Sequence, residues 1–345
     1  MKAETLLPLG KLDPGLRAPE QPLHLHEVTD QARLVDQLGY HALLMEETKD
    51  DPFQVLALAA AASERVHIGT SVAIAFARSP FVIAQAAWTA QKISGGRFEL
   101  GLGSQVRGHI QRRFGLTWQP PGPWMRDYVL AVKAIWSSWQ NQTDLAFSSK
   151  HYNLNLNVPL FTPAPIEHPD IPIQVAAVNP YMARVAAEVA DGVRLHPVCS
   201  AEYIRQVIVP ATAAAGPGFE VCLKPLIATA ADEATLAERV KVARQRLAFY
   251  VSTPAYAGAF DVFGLGDLCA EMAQLSKAGQ WDQMEQLVDD ELLQRCVVVA
   301  LYDDLAATIS QRYGDLISRI EVSIPVTSAQ ERDQLRDIVA QLNAL

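Results

Sequence analysis

The sequence predicts an α/β protein built as a closed (β/α)8 TIM barrel with insertions. Short apolar runs alternate with longer stretches of helical period, which is typical of repeated strand–helix units around a parallel sheet. Eight such units can be counted, and eight units favour closure into a barrel. No linker divides the 345 residues. We therefore expect a single domain over residues 1–345, with insertions at 143–170 and 254–295.

The first four units have the clearest boundaries. We predict their strands over residues 4–9, 41–47, 65–76 and 97–103. The first helix covers residues 29–38 and stops at Gly39, where a glycine can take the left-handed conformation. Asp51-Pro52 and Ser79-Pro80 each place a capping side chain before a proline in the first helical turn, and Gly95-Gly96 ends the latter helix.

The second half of the chain is less regular. A helix around residues 124–139 precedes an excursion rich in Asn, Ser and Pro, which we expect to form a hairpin over one end of the barrel. The remaining strands are predicted over residues 171–178, 190–197, 221–232 and 319–324, with extra helices over 254–294. Two further helices are predicted to begin at Pro180 and at Ser328.

Composition limits the classes of function. The formal net charge is −9 and the pI is near 5.4, which argues against a nucleic-acid-binding surface. The four cysteines lie far apart without a C-x-x-C pair, which favours buried thiols in a reducing compartment. No secretory signal or membrane span is visible, so we expect a soluble cytoplasmic protein without a membrane partner.

The stretch "ELGLGSQVRG" (residues 99–108) is a strand that runs into a glycine-rich turn. It lacks the third glycine of a dinucleotide fingerprint, since Val106 stands at that point. It contains neither a G-x-x-x-x-G-K loop nor a G-x-S-x-G elbow around Ser104. Two interpretations stay open: Gly101 and Gly103 contact a ligand, or they let the strand pass close to its neighbour.

Four segments in order resemble the luciferase-like monooxygenase superfamily, and more narrowly its branch dependent on the deazaflavin coenzyme F420. They are "SGGRFELGLGSQVRGHIQRRFG", "HIGTSVAIAFARSPFVIAQAAWTAQ", "VAAVNPYMARVAAEVADGVRLHP" and "LAFYVSTPAYAGAF". The resemblance implies a (β/α)8 barrel with the cofactor ring across its C-terminal mouth. It also implies hydride transfer between coenzyme F420 and a small organic substrate. FMN-dependent oxygenation with reduced flavin and O2, or a catalytically silent flavin-binding barrel, are the alternatives.

The resemblance places cofactor contacts at three points of the chain. A bulge with a non-prolyl cis peptide at Ser71–Val72 would support the ring, and backbone after the fourth strand would touch the ring or its tail. The N-terminus of the helix from Pro180 would bind the cofactor phosphate on backbone N–H groups. The residues concerned are Ser71, Val72 and Ala73; Gly103, Ser104, Gln105 and Arg107; and Asn179, Pro180, Tyr181 and Met182. Arg107 has a second interpretation, as a solvated arginine.

Acid–base chemistry is predicted at two strand ends. Only one of Glu46 and Glu47 can point into the barrel because strand side chains alternate, and we predict Glu47 as the proton carrier. His196 follows the sixth strand and is the best-placed histidine for the same work. The remaining histidines form no ligand set in the sequence, so no metal is expected. The resemblance also suggests a homodimer and a partner flavin or F420 reductase.

Overall fold

Eight parallel strands close into a barrel in the computed structural model, which describes residues 1–11 and 22–345. Consecutive strands pair around the ring, and the last strand pairs with the first, so the predicted fold is confirmed. The barrel strands are β1 (Lys2–Leu6), β2 (Ala42–Met45), β3 (His67–Thr70), β4 (Phe98–Gly103), β5 (Ile173–Ala177), β6 (Gly192–Leu195), β7 (Glu220–Leu223) and β8 (Arg319–Glu321).

Helices surround the barrel and fill the loops. The longer ones are Val28–Leu38, Pro52–Ala62, Pro80–Ser94, Pro121–Asn141, Pro180–Val189, Glu233–Val251, Gly266–Lys277, Tyr302–Tyr313 and Ala329–Ala344. Shorter helical segments are Leu25–Glu27, Arg107–Arg112, Pro159–Phe161, Ala201–Tyr203, Ile204–Ile208, Val209–Ala211, Pro254–Tyr256, Ala257–Phe260, Asp261–Phe263, Trp281–Gln286 and Asp290–Cys296. Within the described residues, no helix has the length and apolar character needed to cross a membrane.

The predicted helix boundaries depend on caps that the structure contains. The Asp51 carboxylate accepts the N–H of Phe53 at 2.9 Å, and the Ser79 hydroxyl accepts the N–H of Val82 at 3.2 Å. Gly39 ends the first helix with φ of 82°, a value that favours glycine. These caps use side chains and backbone within a few residues, which is why the sequence alone predicts them.

Two predicted strands are divided in the structure. The run 65–76 forms β3 and the separate strand Ala73–Ile74, with the Ser71–Val72 peptide bond cis between them. The run 221–232 forms β7 and a second strand, Leu226–Ala230, which pairs with Val297–Leu301 outside the barrel. Pro225 lies at that division and has no N–H to donate to a ladder. The sequence did not predict the strand Val297–Leu301.

The excursion after the helix Pro121–Asn141 contains the expected hairpin, with Phe147–Ser148 antiparallel to Asn153–Leu154. Its contacts run back to that helix: His151 Nδ1 lies 2.6 Å from Asp127 Oδ2, and Ile166 N–H donates to Gln140 at 3.0 Å. The hairpin therefore packs along this helix. The division of the chain into one domain with two insertions stays a prediction.

The barrel interior carries a buried ion network in place of a purely aliphatic core. The Glu4 carboxylate accepts hydrogen bonds from both terminal nitrogens of Arg194 at 3.1 Å and from Nη1 of Arg319 at 2.9 Å. Arg319 Nη1 also donates to Glu99 Oε2 at 2.6 Å, and Arg194 Nε donates to Gln174 Oε1 at 2.6 Å. All five side chains are buried. Breaking such a network leaves uncompensated buried charge, which costs far more than an exposed pair.

Glu4→Gln should lower the free energy of unfolding by about 3–5 kcal/mol because two buried guanidinium groups lose their shared carboxylate. Urea denaturation of the wild type and the variant measures this difference. Arg33→Ala removes an exposed pair with Asp30 and serves as the matched control, with an expected change below about 0.5 kcal/mol. Equal effects of the two substitutions would contradict the role given to the buried network.

Candidate active site

A cavity of about 440 Å³ opens at the C-terminal end of the barrel strands, and we call it the mouth pocket. It is lined by residues at or beyond the ends of β2 to β7, which is where TIM barrels carry their chemistry. Nine of the residues predicted from the sequence line it: Glu47, Ser71, Val72, Gly103, Ser104, Gln105, Asn179, Met182 and His196. Ala73, Arg107, Pro180 and Tyr181 do not line it.

The wall formed by β3 and β4 explains the two glycines of the glycine-rich strand. A Cβ at Gly101 would lie 2.0 Å from the carbonyl oxygen of Thr70, and one at Gly103 would lie 2.6 Å from Cγ2 of Val72. The Thr70 hydroxyl also donates to the Gly101 carbonyl at 2.7 Å. The glycines therefore serve a close approach of two strands, and they let the Val72 side chain lie against β4 as an apolar face of the pocket.

The turn after β4 has a strained residue beside the pocket. Gln105 has φ of 54°, which is uncommon for a residue with a side chain, and its side-chain oxygen accepts the N–H of Val106 at 2.8 Å. Arg107 is exposed, and its Nε donates to Gln111 at 3.0 Å. The structure thus brings Ser104 and Gln105 to the pocket but leaves Arg107 outside it, which favours the solvated interpretation of this arginine.

The helix Pro180–Val189 starts at the pocket rim. The Asn179 side chain caps it by accepting the N–H of Met182 at 2.9 Å, so that amide is already engaged. The first N–H groups of an α-helix have no internal acceptors and carry the positive end of the helix dipole, and Tyr181 N–H belongs to this turn. The side chain of Tyr181 lies away from the pocket, against Gly122. Pro180 has no N–H, so the helix start offers an anion the N–H of Tyr181 and the positive end of the helix dipole.

Glu47 is held by three hydrogen bonds. Its carboxylate accepts the Nη1 of Arg78 at 2.7 and 2.8 Å and the N–H of Ile74 at 2.7 Å. Arg78 in turn donates to Asp51 at 2.9 Å. This arrangement ties the end of β2 to the segment after β3. It favours a positioning role for Glu47, and the proton-carrying role that the sequence predicts for it stays a prediction.

Glu46, the neighbour of Glu47, also lines the mouth pocket, and its carboxylate lies between two lysines. Lys11 Nζ lies 2.6 Å and Lys224 Nζ 3.0 Å from its carboxylate. Burial by itself would raise the pKa of Glu46, but the charges of Lys224 and Lys11 outweigh it and lower the pKa to about 2. Glu46 is therefore a permanent anion at neutral pH that fixes Lys224 at the pocket wall.

His196 lies at the pocket wall among aromatic rings. Its ring centroid is 4.3 Å from that of Tyr256 and 5.0 Å from that of Tyr250. The N–H of Val198 donates to its Nδ1 at 3.3 Å, which places the proton of a neutral ring on Nε2. The imidazole is thus oriented by packing and by a backbone donor, as a group that moves a proton must be.

Of the polar side chains that line the pocket, sequence reasoning did not consider three: Arg194, Lys224 and Tyr256. Arg194 is a charged residue in the otherwise apolar strand β6, and this pattern is a sequence signal from which it could have been predicted. Its Nη1 lies 3.5 Å from the Ser71 hydroxyl, so the buried ion network reaches the pocket floor. Tyr256 falls within the "LAFYVSTPAYAGAF" segment, but nothing local indicates that it meets His196.

The fold and this site define a class of TIM-barrel protein with an apolar-walled pocket, a helix start at its rim and oriented polar groups at its mouth. The chain belongs to the luciferase-like monooxygenase family, whose model matches residues 7–319. This family consists mostly of oxidoreductases and monooxygenases.

Two relatives show the range of this similarity. An uncharacterized protein of Mycobacterium tuberculosis strain H37Rv is 38% identical over 319 residues, covering 90% of this chain and 93% of that protein. A second protein of the same strain, provisionally named a coenzyme F420-dependent oxidoreductase, is 26% identical over 311 residues, covering 84% of this chain and 86% of the relative.

Solved structures agree on the fold and differ in cofactor. The coenzyme F420-dependent tetrahydromethanopterin reductase from Methanopyrus kandleri superposes with a TM-score of 0.74 at 16% identity, covering 99% of this chain and 98% of that chain. The oxygenating constituent of 3,6-diketocamphane monooxygenase from Pseudomonas putida, solved with FMN, gives 0.65 at 15% identity, covering 99% and 98%. At these identities the likeness shows the fold alone.

The lowered pKa of Glu46 predicts a pH-dependent contribution to stability. A carboxyl group whose pKa falls on folding stabilises the protein fully above its ordinary pKa of 4.5 and loses that contribution as pH falls toward 2. Glu46→Gln should therefore lower the unfolding free energy by about 1–3 kcal/mol at pH 7, and by progressively less from about pH 5 downward. Urea denaturation at pH 7, 5, 4 and 3 measures the difference.

The matched control for this series is Glu238→Gln, since Glu238 is exposed on the helix Glu233–Val251. It should change the unfolding free energy little at any of these pH values. A Glu46→Gln difference that stayed constant down to pH 3 would show that the ion pairs with Lys11 and Lys224 do not stabilise the fold.

Proposed function

We propose that this protein is an oxidoreductase that transfers a hydride between coenzyme F420 and a small organic substrate. The observation that carries the proposal is the mouth pocket: an apolar wall at Val72 against Gly103 faces a helix start that can bind an anion. A planar, apolar-faced ring with an anionic tail is the ligand that such a pair of features fits. The F420-dependent relative, similar over most of its length, supports this cofactor over FMN.

The residues present fit a deazaflavin. The pocket of about 440 Å³ is large enough for the ring and stays open to solvent for the tail. When bound, the cofactor supplies hydride chemistry, and the protein contributes binding, orientation and proton transfer. Val72 and Gly103 would back the ring, Ser104 and Gln105 would meet its polar edge, and the first turn after Asn179 would hold the phosphate.

Within this proposal His196 moves the proton that accompanies hydride transfer to or from the substrate. It lies at the pocket wall, and because Nδ1 accepts from a backbone donor, Nε2 carries the proton of the neutral ring. Glu47 positions the bulge after β3 through Ile74 and Arg78. A homodimer and a partner reductase are further expectations within the same proposal.

Oxidised coenzyme F420 should bind more tightly than FMN. A tenfold preference corresponds to about 1.4 kcal/mol, roughly one hydrogen bond to a charged group. Titration of the purified protein with each cofactor, followed by absorbance and fluorescence, measures both dissociation constants. Tighter FMN binding with oxygen consumption dependent on reduced flavin would favour the monooxygenase alternative, and binding of neither cofactor would overturn the proposal.

A variant that fills the mouth pocket tests, in the same titration, whether the cofactor binds there. Ala176 lies on β5 at the pocket wall, 3.9 Å from where a Cβ at Gly103 would be. Ala176→Phe should weaken cofactor binding at least tenfold because the added ring occupies the space in front of Gly103. Ala234→Phe, on an exposed helix surface, is the matched control and should leave binding unchanged.

Replacement of His196 separates proton transfer from cofactor binding. His196→Asn keeps an acceptor near Val198 N–H but cannot carry the proton, so turnover should fall by about 10²–10⁴-fold while cofactor affinity changes little. Single-turnover reduction or oxidation of bound coenzyme F420 with a panel of small alcohols and carbonyl compounds measures the rate.

Glu47→Gln is the comparison variant for His196→Asn. A positioning role predicts a loss of cofactor affinity and of stability together, because Arg78 loses its charged partner. If Glu47→Gln instead abolished turnover at unchanged affinity while His196→Asn retained it, Glu47 would be the proton carrier that the sequence predicts.

A further inference from the structure

Two histidines and one glutamate meet at the N-terminal end of the barrel, opposite the mouth pocket. His41 directly precedes β2, His67 begins β3, and Glu99 is the second residue of β4. Strand pairing brings them together: the N–H of His67 donates to the His41 carbonyl at 2.9 Å, and Gly69 stands opposite Glu99. His41 Nε2, His67 Nδ1 and a Glu99 oxygen all lie within 4.8 Å of one another. We call these three residues the His–Glu cluster.

The facing atoms of the His–Glu cluster are buried and poorly satisfied. Glu99 Oε1 lies 3.0 Å from His67 Nδ1 and 3.7 Å from His41 Nε2, yet none of the three atoms makes a well-aligned hydrogen bond within the described residues. The side chain of Glu99 is only 2% exposed. Buried polar atoms nearly always have a hydrogen-bond partner, so three such atoms within 4.8 Å of one another fit a binding site for a ligand.

We propose that the His–Glu cluster is a binding site for a divalent transition-metal ion, with Zn²⁺ as the ion that it fits best. Two imidazole nitrogens and one carboxylate oxygen are a set of ligands that zinc commonly takes in proteins. The side chains of His41 and His67 are 20% and 36% exposed, so the cluster lies near the protein surface although its facing atoms are buried.

Metal binding requires only a side-chain adjustment. The two imidazole rings are stacked, with centroids 4.6 Å apart and planes inclined by 26°. They must turn so that both nitrogens point at one ion, since Zn–N bonds of about 2.0–2.1 Å bring ligand atoms to about 3.3 Å from each other. Both histidines are partly exposed, whereas Glu99 is buried and held by Arg319.

Arg319 orients the Glu99 carboxylate toward the two histidines. Its other oxygen, Oε2, accepts Arg319 Nη1 at 2.6 Å, which leaves Oε1 turned toward the histidines. Ligating carboxylates are in general oriented by such a second hydrogen bond. Arg319 here does this from the buried ion network.

The test is metal binding by the full chain, free of a histidine tag and stripped by a chelator. Titration with Zn²⁺ by calorimetry should give about one ion per chain, and saturating Zn²⁺ should raise the melting temperature. Co²⁺ in place of Zn²⁺ should give the visible absorption of a nitrogen- and oxygen-ligated ion. Absence of stoichiometric binding would overturn the proposal.

Variants identify the ligands. His41→Gln and His67→Asn should each weaken Zn²⁺ binding at least tenfold, and since both side chains are partly exposed these variants should stay folded. His26→Gln, in the exposed stretch before the first helix, is the matched control and should bind as the wild type does. Unchanged affinity in both cluster variants, or a loss in His26→Gln alone, would contradict the assignment. Coenzyme F420 titration of His67→Asn should match the wild type, so this test is independent of the proposed function.

Discussion

The pairing of Glu4 with Arg194 and Arg319 inside the barrel is the interaction on which the rest of the structure depends. These three residues come from β1, β6 and β8, and Glu99 joins them from β4. A charge buried without a partner costs several kcal/mol. A shift in the register of any of these strands would leave one of these buried charges unpaired and so destabilise the fold. The network thus selects one closed arrangement of the strands, where an aliphatic interior would tolerate several.

The same network connects the two ends of the barrel. Arg194 reaches the Ser71 hydroxyl at the pocket floor, and Arg319 holds Glu99 beside the two histidines at the opposite end. The chemistry of a TIM barrel is placed at the C-terminal ends of its strands, and the other end usually serves stability. In this chain the stabilising network is the physical link between the mouth pocket and the His–Glu cluster.

Close strand approach shapes the mouth pocket. Gly101 and Gly103 lack side chains where Thr70 and Val72 press against β4, so the apolar wall is built by packing rather than by a ligand-specific motif. Of the two interpretations of these glycines, the close approach accounts for Gly101, which is buried behind the wall. Gly103 fits both, because it also lines the pocket. The two glycines contribute to the pocket by allowing β3 and β4 to approach closely, which forms its apolar wall.

The sequence by itself determined the strand–helix alternation, the family resemblance and the caps at Asp51, Ser79 and Asn179. Each of these depends on residues within one helical turn or on a pattern that repeats along the chain. Only the tertiary structure decided that Glu47 is bound by Arg78 while Glu46 meets Lys11 and Lys224. It alone brought His41, His67 and Glu99 together, because these residues lie on three strands and become neighbours only when the strands pair. Contacts between residues so far apart in the sequence form only when the barrel closes, and no local sequence pattern encodes that closure.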